Sequence, residues 1–101
     1  MPHLNCPQIT FYSHADEAGF FAALAAIKSI RKVNGDGDRI VISIPSRLSE
    51  KALRDLIGVF HRYEIDMTQL RQFETSANRE WLRDSAAFWF TGMFRKIATP
   101  T

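Results

Sequence analysis

A chain of 101 residues that is 46% apolar and carries eight Phe, two Trp and two Tyr can bury a core as one domain. Thirteen basic against eleven acidic side chains leave a charge of only +2, and this composition excludes a disordered tail, a fibrous rod and a disulfide scaffold. The lone Cys6 cannot form an intramolecular bridge, which fits a reducing, cytoplasmic setting.

The opening Met1-Pro2-His3-Leu4-Asn5-Cys6-Pro7 has neither the basic nor the apolar region of a secretory signal. Residues 1–7 are therefore expected to be a flexible leader to a single domain covering 1–101. Ile9 and Phe11 alternate with Thr10 and Tyr12, a period of two that predicts a strand over residues 8–13. Ser13 and Asp16 have the spacing of an N-cap and its reciprocal acid, and Asp16 and Glu17 suit the positive end of a helix dipole. Phe20, Phe21, Leu24, Ile27 and Ile30 then recur at helical spacing, predicting a helix over residues 15–29 with an alanine-rich middle.

Asn34-Gly35-Asp36-Gly37 supplies the positive φ that hairpin turns demand, so a hairpin is expected to turn over residues 34–37. Its first arm, at Lys32-Val33, is short and charged. Its second, residues 39–44, is β-branched and ends at Pro45. Ser49 is the cap of a second helix, with Leu48 placed to staple onto Leu53. Leu53, Leu56, Ile57, Phe60 and Tyr63 form its apolar stripe, opposite Lys51, Asp55, Gly58 and Arg62. The same grammar recurs at Asp66 with Gln69, and at Ile65 with Leu70, which predicts a short helix over residues 67–73 rather than a fourth strand. Asn78 is placed to cap a turn through Trp81 and Leu82. Residues 86–97 read both ways: Phe90, Phe94 and Ile97 have helical spacing, while Phe88, Phe90, Gly92 and Phe94 alternate. The longest apolar stretch, residues 86–94, is far short of the ~20 residues a membrane span needs, so none is expected.

A strand–helix–strand unit leaves its strands parallel, and the second hairpin arm then fits between them, giving the order 1-3-2. The expected class is α+β: a small mixed sheet in a βαββα core with a helical or mixed C-terminal segment. Over about residues 8–66 this element order resembles the ferredoxin-like split βαβ arrangement, a resemblance of order alone that implies no function. Both helices should cover the face of Ile9, Phe11, Ile40, Ile42 and Ile44, leaving Thr10, Tyr12, Val41 and Ser43 on the open one. The first strand should be an open edge, which residues 86–94 of this chain or of a second copy could cover.

Catalytic patterns are weak. Gly35 and Gly37 lie in a hairpin with no following Gly-Lys-Ser/Thr, so no phosphate loop is expected. His3, Cys6 and His14 are too few for a zinc shell, and Cys6 with His14 lacks the third group of an activated nucleophile. Asp16, Glu17, Asp36, Asp38 and Asp66 suit caps and turns. His61, beside Arg54 and Arg62, is the one histidine on a well-signalled helix, where it reads as a boundary residue or as a base. No catalytic residue, metal or cofactor is expected.

The second half interleaves rings and cations at Arg71, Arg79, Trp81, Arg83, Phe88, Trp89, Phe90, Phe94, Arg95 and Lys96. Trp and Arg are favoured anchors of protein interfaces. Rings with cations also hold single-stranded nucleic acid, but no basic stripe is present, so tight binding of that kind is not expected. The function expected is non-enzymatic protein–protein contact, with self-association as a homodimer. A partner-neutralising factor of the immunity or antitoxin type suits the size. The alternative is a weak single-stranded nucleic-acid-binding module using the aromatic and basic second half. The interaction candidates are Tyr12, Gly58, His61, Arg62, Trp81, Arg83, Trp89 and Phe90. Gly58 is among them because a glycine inside a helix costs about 1 kcal/mol relative to alanine and invites close approach of another chain.

Overall fold

The computed structural model describes residues 2–7, 9–37 and 39–95. Its first strand is not where the β-branched alternation points. β1 spans His3–Pro7, where Leu4 and Cys6 are buried and alternate with exposed His3, Asn5 and Pro7. The expected leader is thus mostly strand, and of the strand expected over 8–13, residues 9–13 are irregular link. Gln8 lies outside the described residues, while Ile9 and Phe11 still pack against the core from that link. Thr10 and Tyr12 therefore leave the open sheet face, which carries His3, Asn5, Val41 and Ser43 instead.

Ser13 starts α1 (His14–Ala25) as its spacing implies: its Oγ accepts the Asp16 N–H at 3.1 Å. The Asp16 carboxylate reciprocates one residue earlier than expected, accepting the Tyr12 N–H at 3.1 Å. The helix ends short of residue 29, tightening so that the Ile27 N–H donates to the Leu24 carbonyl at 3.0 Å. Phe20, Leu24 and Ile27 face the core, but Phe21 does not.

β2 (Lys32–Asp36) and β3 (Arg39–Ser43) form the hairpin, closing at Asp36 opposite Arg39. The turn lies beyond Asn34 and Gly35, which are strand. Gly37, at φ 65°, supplies the left-handed conformation a two-residue loop requires. The displacement is even, so Ile42 and Ile44 stay on the core face with Val33 beside Ile42. The sheet order is β1-β3-β2, as expected, but the sheet is antiparallel and not mixed, because β3 separates β1 from β2 and runs against both; Leu4 lies opposite Ile42 and Cys6 opposite Ile40.

Ser49 Oγ accepts the Ala52 N–H at 3.1 Å and opens α2 (Glu50–Arg62), whose Leu53, Leu56, Ile57 and Phe60 are fully buried. The helix ends in a left-handed residue, Glu64 at φ 57°, beyond which the Ile65 N–H donates back to the Phe60 carbonyl at 2.9 Å. α1 and α2 lie side by side and antiparallel. The Tyr63 hydroxyl donates to the Asp16 carbonyl at 3.3 Å at one end, and Ala26 lies beside Ala52 and Asp55 at the other.

The helix expected at 67–73 is a 3₁₀ helix, Met67–Phe73, and Asp66 caps it through Thr68, at 3.0 Å from the N–H and 2.7 Å from the hydroxyl. Gln69 keeps one local contact, its Nε2 donating to the Asp66 carbonyl at 3.1 Å, and also reaches β1. Its Oε1 accepts the Asn5 N–H at 2.6 Å and its Nε2 donates to the Asn5 carbonyl at 2.8 Å. That side chain pairs both outward backbone groups of Asn5, so the middle of the edge expected to be open is held within the chain.

After α3 (Arg79–Leu82) the chain turns to a π-type helical segment, Thr91–Arg95. Asn78 does not cap α3 with its side chain; its Oδ1 accepts the Thr75 N–H at 2.8 Å and its Nδ2 donates to the Phe73 carbonyl at 2.9 Å. The ambiguous aromatic segment is helical where regular. It packs on the 3₁₀ helix and α2 rather than beside β1. Trp89 and Met93 are buried, the Trp89 indole donates to the Leu82 carbonyl at 2.8 Å, and Arg71 Nε donates to the Met93 carbonyl. Lys96 and Ile97 lie outside the described residues.

Candidate functional site

The interaction candidates separate into three groups around α2. Gly58 and Arg62 share a cleft of about 480 Å³ between α1 and α2, which Gly19, Ala23 and Ala26 line from the α1 side and Asp55 from the α2 side. Arg62 also borders an adjoining cleft of about 470 Å³ with Tyr12, Asp16 and Glu64, and Tyr12 is 85% exposed there. The Arg62 guanidinium sits 5.7 Å from the Tyr63 ring centre.

On the opposite flank of α2, rings run in sequence. His61 meets Phe88 edge-on at 4.7 Å, Phe88 meets Trp89 at 5.1 Å, and Trp89 meets Trp81 at 6.0 Å. The Arg54 guanidinium closes the row 4.0 Å over Trp81. Trp89 is buried in this row, so it is a packing residue and not an exposed anchor; Phe88, 59% exposed, is the outward ring. Sequence reasoning passed over Phe88 as a candidate because its neighbours Trp89 and Phe90 are equally aromatic.

The third group surrounds Glu74. Arg83 makes a bidentate pair with its carboxylate, and Arg79 stands 3.7 Å away. The Arg83 hydrogen bond, opposed by partial burial and aided by the charges of Arg83 and Arg79, holds the Glu74 carboxyl below its ordinary 4.5. Arg83 also lies 4.4 Å from the Phe94 ring centre, Phe94 meets Phe90 at 5.6 Å, and Arg95 lies 5.5 Å from Phe90. These cations brace the C-terminal segment.

The residues weighed for chemistry are dispersed. Cys6 is buried, and burial pushes its thiol up to about 12, where it is neutral and unreactive at neutral pH. His3 and His14 are exposed on β1 and at the start of α1. Among the described residues no group of three or more His, Cys, Asp and Glu side chains is placed to hold a metal ion.

The feature missed in the sequence is the outer side of α1. Residues 18–27 contain no polar side chain, yet only Phe20, Leu24 and Ile27 are buried; Ala18, Gly19, Phe21, Ala22, Ala25 and Ala26 are exposed. The signal was present as an apolar run too wide for a helix that packs on one side. Gly58 lies on the neighbouring helix, and a Cβ built there would meet nothing within 4 Å. Among the described residues, no close contact requires that glycine. Among the described residues no helix is long and apolar enough to cross a membrane. No family model, curated protein or solved structure matches the chain.

Proposed function

We propose that the chain is a cytosolic, non-enzymatic domain that works by protein contact, through the outer surface of the α1–α2 layer. The apolar outer side of α1 carries this reading. A helix of a two-layer domain that meets only water presents polar residues outward, and contiguous exposed apolar surface marks a contact. Gly58 supports it, because an exposed mid-helix glycine costs about 1 kcal/mol that a close-approaching second backbone would justify.

The test is a photoreactive residue placed at Ala22, with Asn34 on the sheet edge as control, in the chain expressed in its own host. Protein adducts at Ala22 that are absent at Asn34 and are lost with Gly58→Arg support the reading. Equal labelling at both sites, or none at Ala22, overturns it. Nucleic-acid adducts in place of protein would shift the assignment to single-strand binding.

A further inference from the structure

We propose that the occupant of this face is a second copy of the chain. It docks about a twofold axis that crosses α1 with α1 and α2 with α2, each pair antiparallel. The inference rests on the protein-contact reading above and names its partner.

The argument is charge self-complementarity under one rotation. On α1, Glu17 lies one turn before Phe21, and Phe21 and Lys28 line the same cleft on the side away from α2. On α2, Asp55 and Arg62 both line the cleft toward α1. Glu17, in the first turn of α1, and Lys28, in the turn just beyond its end, stand on opposite sides of a centre near Ala22 and Ala23. Asp55 and Arg62 are equally far in sequence from a centre between Gly58 and Val59. Because α1 and α2 run antiparallel, and Ala23, Gly58 and Val59 border one cleft, both centres lie at nearly the same height in the layer. A single axis perpendicular to both helices therefore sets Glu17 against Lys28 of the second copy and Asp55 against Arg62 of the second copy, each pair occurring twice. The other face-to-face twofold, parallel to the helices, would lay α1 over α2 of the second copy and would not bring Asp55 to Arg62. Asp55 already holds Lys51 at 2.9 Å, and a carboxylate can accept from both cations. Nearest the axis stand Ala22 and Gly58, whose small size lets the two layers approach.

The two helices are 12 and 13 residues long, so their common face covers about 400 Å² per copy, from about 1.5 Å per residue and about 10 Å per helix. That is below the standard interface, so the association should be weak and visible only at high concentration.

Sedimentation equilibrium from about 10 μM to about 1 mM is the test, with circular dichroism confirming that each variant is folded. The wild-type mass should climb from 11.6 kDa toward twice that value. Arg62→Glu and Asp55→Arg should each raise the concentration needed by at least about tenfold, and the double variant should recover it. Ala22→Cys should form a disulfide-linked dimer on oxidation, since the native Cys6 is buried, whereas Asn34→Cys should not. A mass fixed at 11.6 kDa, or a dimer indifferent to charge reversal, overturns the proposal. So does a double variant no better than the singles. A monomer whose Ala22 still labels a different protein removes the second copy but leaves the contact reading standing.

Discussion

Replacing Glu64 with glycine should stabilise the protein. Glu64 follows the C-terminus of α2 at φ 57°, the conformation that lets the Ile65 N–H reach the Phe60 carbonyl at 2.9 Å and end the helix. An L-residue held there pays about 1–2 kcal/mol in contact between Cβ and the backbone, which glycine escapes. Glycine returns roughly half to one kcal/mol of this through the greater freedom of its unfolded chain. The net gain should be about 0.5–1 kcal/mol, or about 3–6 °C in Tm for a domain of this size. Thermal unfolding and urea titration of Glu64→Gly, with Glu64→Ala as control, measure it; the urea slope should stay constant. Alanine keeps the Cβ and should gain nothing. An equal gain from alanine would place the effect in the carboxylate, which shares a cleft with Asp16, and a loss from glycine would refute the backbone argument outright.

Three further outcomes follow from burial. Ile42→Ala, at a fully buried site on the central strand, should cost about 2–4 kcal/mol in urea unfolding, and Val41→Ala on the open face well under half of that; equal losses would mean both faces are covered. The Cys6 thiol is raised in the fold, so its contribution is complete below 9.0 and disappears as pH climbs from 9.0 to about 12. Stability of the wild type should therefore fall more steeply over that range than stability of Cys6→Ala, and parallel curves would contradict the assignment. Truncation after Asp84 removes the buried Trp89 and Met93 and should abolish cooperative unfolding by calorimetry; a truncated chain with a normal transition would make the C-terminal segment an appendage.

Where a residue's role is local, the sequence announced it. Ser13 and Ser49 cap their helices through neighbouring N–H groups, and the 3₁₀ helix occupies Met67–Phe73 as the Asp66 signal implied. The strand order was legible too, because a strand–helix–strand unit leaves its strands parallel and the second hairpin arm fits between them, wherever the turn falls. The place of β1 was not. Only Leu4 and Cys6 mark it, a two-residue signal weaker than that of Ile9 and Phe11. What selects His3–Pro7 is pairing with β3 and with Gln69, both distant in sequence. The turn was misplaced for a related reason: Asn34-Gly35 and Asp36-Gly37 are competing signals, and register with β3 chooses between them. Of the candidate site, Gly58 and Arg62 were legible as exceptions on a regular helix. The bare side of α1 was not, because its width against the core appears only once Phe20, Leu24 and Ile27 are seen to suffice.

The Gln69 clasp on β1 also bears on how the chain is made. The amide that pairs with Asn5 is synthesised 64 residues after it. At about 5–20 residues per second a ribosome needs roughly 3–13 s to supply it. Throughout that interval the strand's outward backbone groups have no intended partner, and a neighbouring nascent chain could pair with them. The damage from losing Gln69 should therefore appear less in the equilibrium stability of molecules that do fold than in the fraction of chains that reach the fold before they aggregate.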